Sequence, residues 1–158
     1  MKAVSDTSPL GYLILIAQSE LLPKTFSSIS IPEQVRDELL DRRAPEAIRS
    51  WMSAPPGWLS VAAVDDTNAP PELARLHAGE RAAILLAERL NADTLLLDEK
   101  AARAVALLRG LHLSGTLGIL VDAGRRKLVD LPGVVADLQK TSFRARPDLL
   151  RKLLEQKP

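Results

Sequence analysis

Thr94-Leu95-Leu96-Leu97-Asp98-Glu99-Lys100-Ala101-Ala102-Arg103 changes character at its fifth residue. Thr94 to Leu97 runs without polar alternation. A strand that is apolar on both sides suits the interior of a parallel sheet, where helices cover both faces. From Glu99 the pattern becomes helical as far as Arg109, and Gly110 follows at the position where helices commonly end. Asp98 therefore closes a predicted strand. In an open parallel sheet those strand ends border the crevice where ligands bind.

The same grammar recurs on either side of this stretch. Ala3 to Ser5 predicts a short strand running into Asp6, with Ser8 as an N-cap and Pro9 at the first helical position. Leu10, Leu13, Ile14 and Ala17 form one helical face. Leu21-Leu22-Pro23 reads as a connector or a helical turn. Ser28 to Ile31 is a second strand, and Pro32 opens a helix buried through Val35, Leu39 and Leu40. A helix from Pro45, with Ala47, Ile48, Trp51 and Met52 inward, ends at Pro55-Pro56-Gly57. Trp58 to Val64 is a third strand. Gly79 precedes an Ala- and Leu-rich helix over 80–90. Leu111 to Leu113 is a last strand, Ser114-Gly115-Thr116 leads into a helix over 117–126, and two more helices lie near 132–140 and 147–155. Alternating strands and helices predict one α/β domain over 1–158, with a central parallel sheet and a helical C-terminal extension over about 132–158.

The bulk properties bound what this domain does. With 158 residues, 46% hydrophobic and 26% charged, the chain suits a folded domain with a real core. Aromatics are 3%, so Leu, Ala, Val and Ile must fill that core. The absence of cysteine excludes disulfides, thiolate metal sites and cysteine nucleophiles, and fits a cytoplasmic location. The apolar stretch Leu10 to Ala17 is too short to span a membrane, and no cleavable leader is expected. A net charge of +1 gives no global attraction to nucleic acid. Basic residues cluster locally at Arg42–Arg43, at Arg125–Lys127 and from Lys140 to Lys152, the ordinary pattern of solvated helix faces.

Four acids fall where strand–helix units bring strand ends together: Asp6, Glu38, Glu80 and Asp98. Each has an ordinary role available. Asp6 and Asp98 suit caps, Glu80 suits the first turn of its helix, and Glu38 suits a solvated helix face. Asp37 competes with Glu38 but points about 100° away around the helix. Separate cap and surface roles do not require convergence, so the set says more than its members. Clustered carboxylates repel, and a divalent cation is the usual way to keep them ionised, which makes Mg²⁺ or Mn²⁺ the expected ion. Glu33, Glu99 and Asp122 are auxiliary acids. His77 reads as exposed and His112 as a core histidine. Trp51, Trp58 and Phe143 are scattered along the chain, which suits packing rather than base stacking.

In order and spacing, V-S-D-T-S-P-L, I-P-E-Q-V-R-D-E-L-L, A-G-E-R-A-A-I-L-L-A, L-L-L-D-E-K-A-A-R and S-G-T-L-G-I-L resemble the PIN-domain ribonucleases, in particular VapC-like toxins of toxin–antitoxin modules. The resemblance covers nearly the whole chain. It implies a three-layer α/β/α fold and metal-dependent hydrolysis of RNA. It places Asp6, Glu38, Glu80 and Asp98 as catalytic and metal-binding acids, with Asp6 and Asp98 nearest the ion. Thr7, as the hydroxyl after the first acid, and Thr116, at its helix start, would contact a phosphate oxygen. The chain departs from the pattern in having Glu80 where many relatives have Asp. Gly115-Thr116 also stands where many have a further acid or Asn. The resemblance further implies a small cognate antitoxin and a homodimer. Two rivals stand beside it: a catalytically inactive PIN-like interaction module, and a phosphoacceptor regulator. Lys100 sits in the wrong place for the second.

Overall fold

Leu95, Leu96 and Leu97 are all fully buried, and they point alternately into two different cores. The computed structural model, which describes residues 1–155, places this run in the second of two strands that flank the sheet's centre. The strands are β1 (Lys2–Ser5), β2 (Ser28–Pro32), β3 (Leu59–Ala62), β4 (Thr94–Leu96) and β5 (Leu113–Ser114). They form one sheet in the order β3-β2-β1-β4-β5, and every neighbouring pair is parallel. The chain builds outward from β1 to β3, then returns to lay β4 on the other side of β1. The sheet therefore changes direction between β1 and β4, and a crevice opens at the carboxyl ends of those two strands.

Helices cover both faces, giving the expected α/β/α layering. One core joins Ala3, Ile29, Ile31 and Leu96 to helices α1 (Thr7–Leu15), α2 (Leu21–Thr25), α3 (Glu33–Leu40), α4 (Glu46–Ser53), α8 (Thr116–Arg125) and α9 (Leu131–Gln139). The other joins Val4, Leu95 and Leu97 to α5 (Pro71–Ala74), α6 (Ala78–Leu90) and α7 (Lys100–Leu108). Each fully buried Leu or Ile in these layers contributes roughly 1.5–3 kcal/mol by leaving water. The alternation of side chains along a strand is what splits a single apolar run between two cores. Among the described residues no helix is long and apolar enough to cross a membrane.

Several local expectations give way to tertiary context. The first helix begins at Thr7 and has Asp6, not Ser8, at its N-cap position. Leu40 is 41% exposed because α3 ends there, one position past the buried stripe of Val35 and Leu39. Ala47 is exposed on α4. Gly79 lies inside α6, which starts at Ala78 behind His77. His112 is exposed: its carbonyl accepts the Leu95 N–H at 2.8 Å, while its side chain faces out. The packing role expected of the tryptophans holds: Trp51 and Trp58 pack against each other with ring centroids 5.8 Å apart.

The C-terminal extension consists of α9 and α10 (Pro147–Glu155), and residues 156–158 of the expected extension lie outside the described part. The segment between the two helices crosses back toward α1. Tyr12 Oη and Ser142 Oγ are hydrogen-bonded at 3.0 Å, and the Phe143 ring meets the Tyr12 ring edge-on at 5.2 Å. Thr141 anchors this crossing. Its hydroxyl donates to the Leu138 carbonyl at the end of α9 and accepts the Phe143 N–H.

Candidate functional site

The carboxyl ends of β1 and β4 are stitched together at backbone level. Asp6 N–H donates to the Leu96 carbonyl at 3.0 Å, which extends the β1–β4 ladder one residue past the strand. Asp6 is thereby fixed beside Asp98, although its carboxylate makes no capping bond to α1. Glu38 enters from α3 and Glu80 from the first turn of α6. The four acids line one open cleft of about 710 Å³, with Thr7, His77 and Glu99 also on its walls. The other two auxiliary acids stay away from it. Asp122 pairs with Arg126 at 3.2 Å on α8, and Glu33 is exposed at the start of α3. Asp37 also turns away, paired with Arg36 at 3.0 Å.

Each acid is held by different means. Asp98 accepts the Thr116 N–H at 2.8 Å on Oδ1 and the Thr116 hydroxyl at 2.7 Å on Oδ2. Arg103 lies alongside, its Nη1 donating to the Leu97 and Ser114 carbonyls at the ends of β4 and β5. Glu38 bridges two helix starts: its Oε1 accepts the Gly79 N–H at 3.2 Å and its Oε2 accepts the Thr7 hydroxyl. Glu80 Oε1 accepts the His77 N–H at 3.1 Å. Thr116 is fully buried with both donors engaged by Asp98, so it positions an acid rather than facing a phosphate. Thr7 lines the cleft, with its hydroxyl committed to Glu38.

Two glycines make these approaches possible. A Cβ on Gly115 would lie 2.5 Å from Asp98 Oδ1 and 3.3 Å from the Leu97 carbonyl oxygen. A Cβ on Gly79 would lie 2.6 Å from Glu38 Oε1. In both places a site carboxylate docks onto the start of a following helix, where backbone N–H groups face out and favour negative charge. The sequence signal was present as Gly-Glu and Gly-Thr at two helix starts.

Electrostatics marks Asp6 as the costly member. Burial pushes its carboxyl from the ordinary value up to about 7, the nearby Thr7 N–H pulls it down, and Glu80, Glu38 and Asp98 push it up further. Burial also raises Glu80, against the pull of the His77 N–H and imidazole, with Glu99 and Glu38 adding to the rise. Asp98 is raised by burial and relieved by its two Thr116 bonds and by Arg103. None of the four forms a salt bridge among the described residues. Such a cluster wants a cation.

The donor chemistry fits a hard divalent ion. Among the described residues no three carboxylate or imidazole groups close tightly enough to hold an ion by themselves. Mg²⁺ needs no such cage: it keeps several waters and takes one or two carboxylates directly. Asp6, which is buried, and Asp98, which is half-buried, could supply those carboxylates, and Glu38 and Glu80 line the same cleft.

Comparison with known proteins agrees with this fold. Residues 2–157 match a family model described as PIN domain. No curated protein matches the chain. A PilT N-terminus domain protein from the hyperthermophilic archaeon Sulfolobus solfataricus P2 is similar in fold, with a TM-score of 0.51 and 18% sequence identity. The alignment covers 92% of this chain and 100% of that one. PIN domains are generally nucleases and typically use divalent metals. A parallel sheet reversing between β1 and β4, four acids at the reversal, and a family match spanning nearly every residue lead to one assignment: the chain belongs to the PIN-domain family.

Proposed function

We propose that this chain is a Mg²⁺- or Mn²⁺-dependent endoribonuclease and that it is the toxin of a toxin–antitoxin pair. The observation that carries the nuclease reading is the convergence of Asp6, Glu38, Glu80 and Asp98 in one cleft, with none of the four in a salt bridge among the described residues. The bound ion supplies positive charge against the phosphodiester oxygens and makes the attacking water more acidic. Asp98, locked by Thr116, and Asp6, locked by the β1–β4 ladder, hold the ion side of the site in place. Glu80 Oε1 is occupied by the His77 N–H, so its Oε2 takes the proton from the attacking water. Glu38, braced between Thr7 and Gly79, orients that water.

The deciding assay incubates purified protein with a mixed RNA pool and Mg²⁺ or Mn²⁺, with EDTA and Asp98→Asn as controls. Cleavage that requires metal and falls by at least roughly 10³-fold in the variant is the expected result. Cleavage persisting in Asp98→Asn would place the chemistry elsewhere. The alternative reading is a catalytically inactive interaction module. The open spacing of the carboxylates favours it, and absence of cleavage under every condition would select it.

The toxin role, a small cognate antitoxin and a homodimer rest on the sequence resemblance, and a cytoplasmic location on the absence of cysteine. They predict that expression of the chain alone arrests growth, that Asp98→Asn does not, and that the purified protein has the mass of a dimer by light scattering. Unimpaired growth at high expression would remove the toxin role, and a monomeric mass would remove the dimer.

A further inference from the structure

The acidic cleft does not end at Asp98. It opens into a second lobe of about 490 Å³, and the two lobes share Asp98, Phe143 and Arg144. The second lobe has a different chemistry. Its cations are Arg103 and Arg144, and its walls include Leu117 and Leu149. Arg103 is pinned by the Leu97 and Ser114 carbonyls. Arg144 is exposed and has no ion-pair partner among the described residues. Phe143 stands at the junction, partly buried, with one edge of its contact surface set against Tyr12.

An apolar wall, an aromatic ring and an unpaired arginine together match a nucleotide, whose base stacks and whose phosphate takes the charge. The acidic lobe alone repels a polyanion; the arginines offset that repulsion where the strand must run on. We propose that the second lobe is a binding subsite for the nucleotide flanking the scissile bond, with its base on Phe143 and its phosphate on Arg144. This rests on the ribonuclease reading above. It also gives the C-terminal extension a task, since the segment between α9 and α10 supplies both residues. A base laid on a protein ring has left its own stack, so the subsite favours single-stranded RNA over duplex.

The test uses the full chain in EDTA, where nothing is cut, and a short fluorescein-labelled oligouridylate read by anisotropy. Metal-loaded cleavage is measured in parallel. Arg144→Glu changes an exposed residue, and Phe143→Leu keeps apolar bulk against Tyr12. Lys24→Glu makes the same charge change on exposed α2, away from both lobes. Arg144→Glu is expected to weaken binding roughly tenfold. Phe143→Leu is expected to weaken it at least about fivefold. Lys24→Glu stays within about twofold. In cleavage both lobe variants raise KM more than they lower kcat, and duplex RNA competes poorly. A wild type that cuts RNA while both variants bind like it overturns the subsite and leaves the nuclease reading standing. Loss in Arg144→Glu alone overturns the base platform. A wild type that neither binds nor cuts RNA overturns both.

Discussion

Replacing Asp6 with Asn is expected to cut metal-dependent cleavage sharply and, without divalent ions, to make the protein harder to unfold. The two effects share one cause. Asp6 is 5% exposed and keeps its proton up to about pH 7, whereas an unfolded Asp loses it near 4. Between those values the native state binds more protons than the unfolded state. The contribution of Asp6 to the stability of the ion-free protein therefore falls as pH rises from about 4 to about 7, and is flat above. Asn has no such proton to lose. At pH 8 in EDTA the variant is expected to be more stable by on the order of 2–4 kcal/mol, a rise in Tm of roughly 5–15 °C. Its activity falls by roughly 10³-fold, the equivalent of about 4 kcal/mol of transition-state stabilisation. Mg²⁺ raises the Tm of the wild type and leaves that of the variant nearly unchanged. Thermal melts from pH 5 to 8 with and without Mg²⁺ provide the check. A variant that melts lower than wild type in EDTA at pH 8 would contradict this account of Asp6.

Gly115→Ala is expected to cost both activity and stability, although it adds one methyl group. Gly115 has an extended backbone that any residue adopts, so the cost is purely one of space. The new Cβ meets Asp98 Oδ1 at 2.5 Å and the Leu97 carbonyl at 3.3 Å. Neither yields easily, since Asp98 is held at two points by Thr116 and the Leu97 backbone is held by Ser114. Asp98 must leave the Thr116 amide, or the start of α8 must move away from β4. The expected cost is about 1–3 kcal/mol of stability, as for overpacking elsewhere, and roughly 10²-fold or more in cleavage. Gly79→Ala is milder, because Glu38 is an exposed side chain with room to swing. Gly57→Ala has nothing within 4 Å of its new Cβ and stays within about 0.5 kcal/mol of wild type. Denaturation midpoints and initial cleavage rates for the three variants decide. Full activity in Gly115→Ala would show that Asp98 does not need its present seat.

The layering was legible because burial on two faces leaves a run with no alternation, as at 95–97. The acids were legible because strand–helix junctions are marked by local signals. The strand order was not: nothing near Ala3 says that it pairs with Thr94 as well as Ile29. Ser8 misled because Ser-Pro is a strong local cap signal, and the β1–β4 ladder overrides it by fixing Asp6. Thr116 looked free because an N-terminal helix hydroxyl normally faces solvent, whereas here β4 ends beneath it. Phe143 was assigned to packing, and its edge-on contact with Tyr12 bears that out; its place beside the cleft was not legible, because 140–146 has neither helical nor strand periodicity.

The central place of β1 also has a consequence for how the molecule is made. Ala3 finds one neighbour in Ile29 soon after synthesis, but the other, Thr94, emerges far later. Long-range parallel pairings close slowly, since loop entropy is lost before contacts repay it. A chain still being translated through α6 carries Asp6, Glu38 and Glu80 but lacks Asp98 and the strand that seats Asp6. The cleft is thus among the last features to mature, and a truncated translation product carries its acids without the crevice that concentrates them.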